Sequence, residues 1–253
     1  MIDSVRRMTD LDRPGRYQYL SFNAPLGEAR ADAIADRLAA ARPADVLDVG
    51  CGWAELLLRV LHRQPAATGL GVDTDEEALD RGRRAARERG LAGRVRLEHT
   101  AADRVIEPAD LVIAIGSTHA FGTTTQALAA LWRLVRPGGR LLFGDGLWDP
   151  HAVTGDPALI WDDLPQMPDL GGLVDLAMAA GFRPLWIEAS SREELDAFEA
   201  GFLADEEEWL HTHPGHPLAA EVRQRADEHR RRWLHGYRNA FGFAYLTLGR
   251  CAT

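Results

Sequence analysis

The sequence predicts an α/β fold built on a parallel, doubly wound sheet. Three observations point to it. Short apolar runs alternate with stretches whose apolar residues recur at intervals of three and four. The first run leads straight into a glycine-rich turn, in VLDVGCGWAE at 46–55, and the second ends on an acid, Asp73. Strands alternating with helices in this way lie parallel, with helices on both faces.

The elements follow in order. LGEARADAIADRLAAA, from residue 26, has helical apolar spacing and stops ahead of Pro43. VLDVG (46–50) reads as a buried strand and AELLLRVLHR as the helix behind it. ATGLGVD (67–73) is the second strand, and TDEEALDRGRRAARERG a helix stopped at Gly90. VRLEH (95–99) and ADLVIAIG (109–116) are the third and fourth strands, with a helix over 123–135 after them. RPGG (136–139) reads as a turn and RLLFGDGLW as the fifth strand. The rhythm then changes: DPHAVTGDPALIWDDLPQMPD, rich in Pro, Asp and aromatics, reads as a long loop of the kind that is often functional or mobile. LGGLVDLAMAAG is a helix and FRPLWIEAS the sixth strand. Two polar helices near 191–211 and 217–239 flank HTHPGHP, and FGFAYLTLG closes the chain as a strand. No internal repeat or low-complexity tract interrupts this order.

At 253 residues the chain has room for one large domain with its own core, without disulfide or metal staples. A net charge of −9 opposes a phosphate-backbone partner. All 29 basic residues are arginine, which excludes a lysine-dependent phosphate loop or Schiff base. Cys51 and Cys251 lie far apart and form no CxxC pair, as expected of a reducing compartment. No signal peptide or membrane-spanning run is evident, so the expected location is cytoplasmic and no membrane partner is expected. The oligomeric state is not legible.

The glycine turn narrows the chemistry. A dinucleotide fingerprint would place a third glycine where Glu55 stands. The alternative spacing, acid-x-G-x-G-x-small, is complete in Asp48, Gly50, Gly52 and Ala54. Glycines at 50 and 52 let a ligand approach the backbone closely. Asp73 ends the second strand, where a carboxylate accepts bonds from ribose hydroxyls or caps the next helix; Thr74 and Asp75 are also able to cap.

Together these residues resemble the class I S-adenosylmethionine-dependent methyltransferases. VLDVGCGWAE is similar to that family's first motif, GVDTDEEAL to its second, ADLVIAIGS to its fourth, and LVRPGGRLLFGD to the segment entering its fifth strand. The resemblance is closest over residues 26–149. The remainder is similar to a subset of these enzymes, mostly of undefined substrate, with GDGLW after strand five and a helical insertion ending in GFAYLTLGR. It implies a Rossmann-like sheet of seven strands in the order 3-2-1-4-5-7-6, the last antiparallel. Residues 1–253 then form a single domain, with an N-terminal arm or lid at 1–25 and a helical insertion at 191–240 between strands six and seven. It implies S-adenosylmethionine as cofactor and S-adenosylhomocysteine as product, held by Asp48, Gly50, Cys51, Gly52, Asp73, Thr74, Ala101, Ala102 and Ile115. One departure stands out. The acid that often follows strand three is replaced by Ala101 in HTAADR, leaving Asp103 or the backbone of Ala101 and Ala102 to meet the adenine.

The acceptor is less legible. IGSTHAFG (115–122) lacks the motifs of nucleic-acid methylating enzymes, so a small molecule is expected, a secondary metabolite among the candidates because the Arg- and Ala-rich composition suits a GC-rich genome. His119 is the candidate general base, or else a loop histidine packed on the cofactor or capping a helix. Asp145 and Trp148 are candidate acceptor contacts, or a solvent-facing acid and a packed aromatic. Tyr17, Tyr19 and Asn23 belong to an arm that covers the cofactor or simply packs on the sheet. Trp233, Tyr237 and Phe241 recur at helical spacing as a core stripe, with Tyr237 and Arg238 near the rim of the site. His211, His213 and His216 read as a solvated loop, and no metal is expected. Two rivals remain: a nucleotide-binding oxidoreductase, weakened by Glu55, and a non-catalytic binder of the same cofactor.

Overall fold

A computed structural model describes residues 13–152 and 154–252. Residues 1–12 of the expected arm lie outside this range. Seven strands form one sheet in the order β3-β2-β1-β4-β5-β7-β6, where β1 is Asp45–Val49, β2 Thr68–Asp73, β3 Val95–His99, β4 Ala109–Ile115, β5 Val135–Trp148, β6 Phe182–Ala189 and β7 Phe241–Arg250. The first five pair in parallel, and β7 runs antiparallel to both β5 and β6. This is the sheet order that the family resemblance implies.

Strand periodicity distributes the core between two faces. Val46, Leu111 and Ile113 pack with helices α1 (Glu28–Ala40) and α2 (Glu55–Arg63), and with Leu79 and Ala86 of α3 (Glu76–Glu88). Leu47, Val112 and Ala114 point the other way, onto Leu128 and Leu131 of α4 (Thr124–Leu134) and Leu173 and Ala177 of α5 (Leu170–Ala179). The crossover rule that puts helices on both faces of a parallel sheet is met in full.

RPGG, expected as a turn, lies inside β5. Val135 pairs with Ala109, pairing resumes at Arg140 with Leu111, and Gly138 sits at φ 81° in between. The turn exists, but as a bulge that keeps the strand in the sheet. The long segment after β5 is also ordered into two short 3-10 turns, Pro157–Leu159 and Leu164–Gln166. It is pinned to the end of the insertion by hydrogen bonds from the Gly155 and Asp156 N–H groups to the Gly236 and His235 carbonyls, at 3.1 and 2.8 Å.

Helices α6 (Arg192–Thr212) and α7 (Ala219–Arg232) stand between β6 and β7 and share a small core of their own around Leu203, Trp209, Val222 and Ala226. The expected second polar helix ends early, in a π-helical turn at Trp233–Tyr237. Phe241 therefore belongs to β7, and the aromatic stripe is not one helix face. His213 stacks on Trp209 at 5.0 Å and His216 meets it edge-on at 4.9 Å. No helix among the described residues is long and apolar enough to cross a membrane.

Candidate active site

The carboxyl edge of the sheet carries an open cavity of about 570 Å³, in the crevice between β1 and β4 where doubly wound sheets bind ligands. Its floor is the glycine turn. Gly50 and Cys51 donate their N–H groups to the Val72 carbonyl at 2.9 and 3.0 Å, tying the turn to β2. Gly50 and Gly52 lie at φ 70° and 53°, and Ala54, the N-cap of α2, at 57°. The two glycines answer different constraints. A Cβ on Gly50 would stand 2.5 Å from the Ser117 Cβ, whereas one on Gly52 would meet nothing within 4 Å. Gly52 therefore faces free space.

Two acids flank that space. Asp48 is only 5% exposed, and burial together with the Asp73 charge pushes its carboxyl up to about 8. Asp73 accepts from the Gly52 N–H at 2.7 Å and from the Asp75 N–H at 2.9 Å, which orients it toward the turn. The α3 cap is Asp75, whose carboxylate accepts from the Glu77 and Ala78 N–H groups. Thr74 lies between them on the cavity wall, and burial pushes the Cys51 thiol up.

The far wall comes from the ends of β3 and β4. Ala101, Ala102 and Asp103 line it, with Ala102–Arg104 wound into a 3-10 turn. Ile115 and Gly116 lead to Ser117, a buried residue whose hydroxyl has no partner among the described residues. His119 sits exposed on the cavity side of the next turn, Thr118–Ala120. The roof is the arm: Tyr17, Phe22, Asn23 and Leu26 all line the cavity, and Tyr17 lies 5.7 Å from the Trp53 ring. Tyr19 is exposed. Among the described residues the lining holds five carboxylates, Asp48, Glu55, Asp73, Asp75 and Asp103, and no arginine.

Three expected acceptor contacts lie elsewhere. Asp145 shares the α4–α5 face with Phe143 and Leu147, and its carboxylate accepts from the Thr118 and Thr124 hydroxyls at 2.9 and 3.3 Å. Burial raises its pKa against those bonds, one of which comes from Thr118, the neighbour of His119. Trp148 is buried against Leu164, Tyr237 and Ala240 because the 149–169 segment folds back over it. Tyr237 points into the insertion. Its hydroxyl donates to Glu199 at 2.9 Å, and the other Glu199 oxygen lies 2.7 Å from His229 Nε2. Arg238 is spent on Asp196 at 2.5 Å.

A family model described as a methyltransferase domain matches residues 47–141. Demethylmenaquinone methyltransferase of Thermus thermophilus is 33% identical over 163 residues, 61% of this chain and 70% of that one. The chain belongs to the class I S-adenosylmethionine-dependent methyltransferases. The uncharacterized protein YjhP of Escherichia coli is 27% identical over 210 residues, covering 80% of this chain and 83% of the relative. The X-ray structure of YjhP superposes with a TM-score of 0.81 at 25% identity over 92% and 96% of the two chains. The fold is also that of a methyltransferase from Geobacter sulfurreducens, solved with S-adenosyl-L-homocysteine, at a TM-score of 0.79, 22% identity and coverage of 90% and 93%.

The cradle of this methyltransferase fits the family's cofactor. The opening at Gly52 leaves room for a ligand against the backbone, the acids Asp48 and Asp73 flank it, and a lining rich in acids with no arginine among the described residues suits a sulfonium and an ammonium. Sequence motifs pointed to the turn, to Asp48 and to Asp73. They missed Ser117, Phe22 and Trp53, although Trp53 was in view within the quoted turn. What marks these residues is their approach to Gly50 and to the arm, and neither approach has a sequence spacing.

Proposed function

We propose that this methyltransferase transfers its methyl group to a small molecule that is not an anion. The observation that carries the reading is the composition of the cavity among the described residues: free space at Gly52, five acidic side chains, of which Asp48 is held protonated and Glu55 is paired with Arg59 and Arg89, no arginine in the lining, and an aromatic roof. An acceptor bearing phosphate or carboxylate would find no arginine to pair with among the described lining residues. The name of the Thermus relative, a demethylmenaquinone methyltransferase, supports a small uncharged acceptor.

In this reading residues 1–253 act as one domain, with the arm and the 191–240 insertion as its lid. Asp73 takes the ribose hydroxyls. Asp48, Gly50, Cys51 and Gly52 hold the amino-acid end, with Thr74 beside them. Ile115 and the backbone of Ala101 and Ala102, with Asp103, enclose the adenine. When bound, S-adenosylmethionine supplies a methyl group on a sulfonium sulfur. The chain contributes alignment and a roof that excludes water, which supplies much of the rate for an in-line transfer. Tyr17 and Asn23 border the acceptor, and Ser117 packs against the turn at Gly50. His119 removes a proton where the acceptor must lose one, held at the cavity mouth by the loop that Asp145 anchors.

The test combines binding and turnover. S-Adenosylhomocysteine at a hundred times its Kd should stabilise the protein by about 2.7 kcal/mol, and NAD should not. A labelled methyl donor should then label neutral or cationic acceptors from an extract in preference to anionic ones. Stabilisation by NAD alone, or labelling confined to anions, refutes the proposal; binding with no label transfer in any fraction would leave a non-catalytic binder.

A further inference from the structure

The arm that roofs the cavity is fastened by an arginine that bonds backbone carbonyls rather than carboxylates, as Arg94 and Arg250 do elsewhere in the fold. Arg81 on α3 donates one guanidinium N–H to the Tyr17 carbonyl and another to the Leu20 carbonyl, each at 2.7 Å. Its guanidinium carbon lies 4.1 Å from the centroid of Trp53. No carboxylate lies within ion-pairing distance of it among the described residues, whereas Arg59, Arg63 and Arg136 each pair with two or more. Arg81 is thus desolvated for the sake of two arm carbonyls and one indole face.

Trp53 completes the arrangement from the cofactor turn. Its Nε1 donates to the Ser21 carbonyl at 2.7 Å, and its ring meets Tyr17. At the other end of the same short stretch, the Gln18 N–H donates to Asp205 on α6 at 3.0 Å. Tyr17 itself sits at φ 60°, a left-handed shape that an L-residue holds only when its surroundings impose it. The stretch is held from outside rather than by its own preference.

We propose that Arg81 is a positioning residue that keeps the arm shut over the cofactor and so sets how fast the demethylated cofactor leaves. The proposal rests on reading the cavity as the cofactor site. Tyr17, Phe22 and Asn23 line the cavity only while the stretch from 17 to 23 lies where Arg81 and Trp53 hold it. Opening the roof must break the two Arg81 bonds together with the Trp53–Ser21 bond, because these tie the arm to the body while Asp205 ties it only to the insertion. Gating of product release by such a cover is a common rate-limiting step.

The test uses Arg81→Met, which keeps an apolar stem against Trp53 and removes both donors, with Arg81→Lys and Asp205→Asn beside it. Hydrogen exchange of the cofactor-free protein should show faster exchange at Gln18 and Leu20 in Arg81→Met, with unchanged protection in β1, β4 and β5. Stopped-flow release of S-adenosylhomocysteine should quicken about tenfold or more in Arg81→Met, less in Arg81→Lys, and least in Asp205→Asn. Unchanged arm exchange in a folded Arg81→Met protein overturns the proposal. So does faster arm exchange with an unchanged release rate, or a larger effect from Asp205→Asn. Failure of the wild-type protein to bind S-adenosylhomocysteine would instead sink the cofactor reading, and the exchange data alone would then decide whether Arg81 holds the arm.

Discussion

Gly50 and Gly52 stand two residues apart at similar backbone angles, yet different parts of the molecule require them. At Gly50 the Ser117 Cβ is too close for any side chain, while at Gly52 no neighbouring atom opposes one and only the left-handed backbone does. Gly52→Ala should therefore cost about 1–2 kcal/mol in urea unfolding, from backbone strain alone, and weaken cofactor binding by more than tenfold. Gly50→Ala should cost a further 1–3 kcal/mol or so by overpacking. Equal stability loss in the two variants would contradict the assignment. Asp48 supplies a pH test. Its folded pKa of about 8 lies well above the usual value of about 3.9. The folded state thus binds the proton more tightly, and this contribution is complete below pH ~4 and lost as the pH rises through about 8. Asp48→Asn removes the titration, so the stability of the cofactor-free variant relative to wild type should rise from pH 5 to pH 8 in denaturant melts. A constant difference across that range would refute the buried protonated acid.

Between elements, the start of α1 and the start of α6 are locked together by one carboxylate. Glu194 closes the Ser191 capping box of α6 and also accepts from Arg30 and from the Gly27 N–H. Burial pushes its pKa up, but the Arg30 guanidinium and the two N–H donors outweigh this and pull it down to about 2. The stability this adds is present above the unfolded value near 4.5 and lost as the pH falls toward 2. Glu194→Gln should cost about 2–3 kcal/mol at pH 7 and little at pH 2.5, measured by chemical denaturation; a pH-independent cost would mean that the bonds do not need the charge. The capping box itself was readable as S-x-x-E at 191–194. The reach of Glu194 to Arg30, across 164 residues of chain, was not.

For the whole molecule, the far part of the insertion has a small core of its own, whereas Leu195 near the start of α6 packs with the α1–α3 face, so the far part is expected to open before the sheet. Trp209, 7% exposed and with no hydrogen-bond partner for its Nε1 among the described residues, is the largest of its buried residues. Trp209→Ala should cost about 3–5 kcal/mol locally, exposing α6 and α7 to hydrogen exchange and loosening the arm through Asp205, while β1, β4 and β5 keep their protection. Uniform loss of protection across the sheet would show instead that the insertion and the body unfold as one unit.

The strands and helices, the glycine turn, Asp48 and Asp73 were legible in the amino-acid sequence because the physics behind them is local, whereas the strand order came from the family resemblance. Apolar period decides strand or helix, and the cradle is made of consecutive residues and of the first residues beyond adjacent parallel strands. The acceptor side was not legible for the opposite reason. Face parity turns Asp145 onto the α4–α5 side, the 149–169 segment covers Trp148, and a π-helical turn carries Tyr237 inward to Glu199. Tyr17 meets Phe202, and Gln18 meets Asp205 across 187 residues of chain. Contacts of that separation have no period and no spacing. Packing of the arm and the insertion against the sheet decided them, and with them the shape and charge that an acceptor meets.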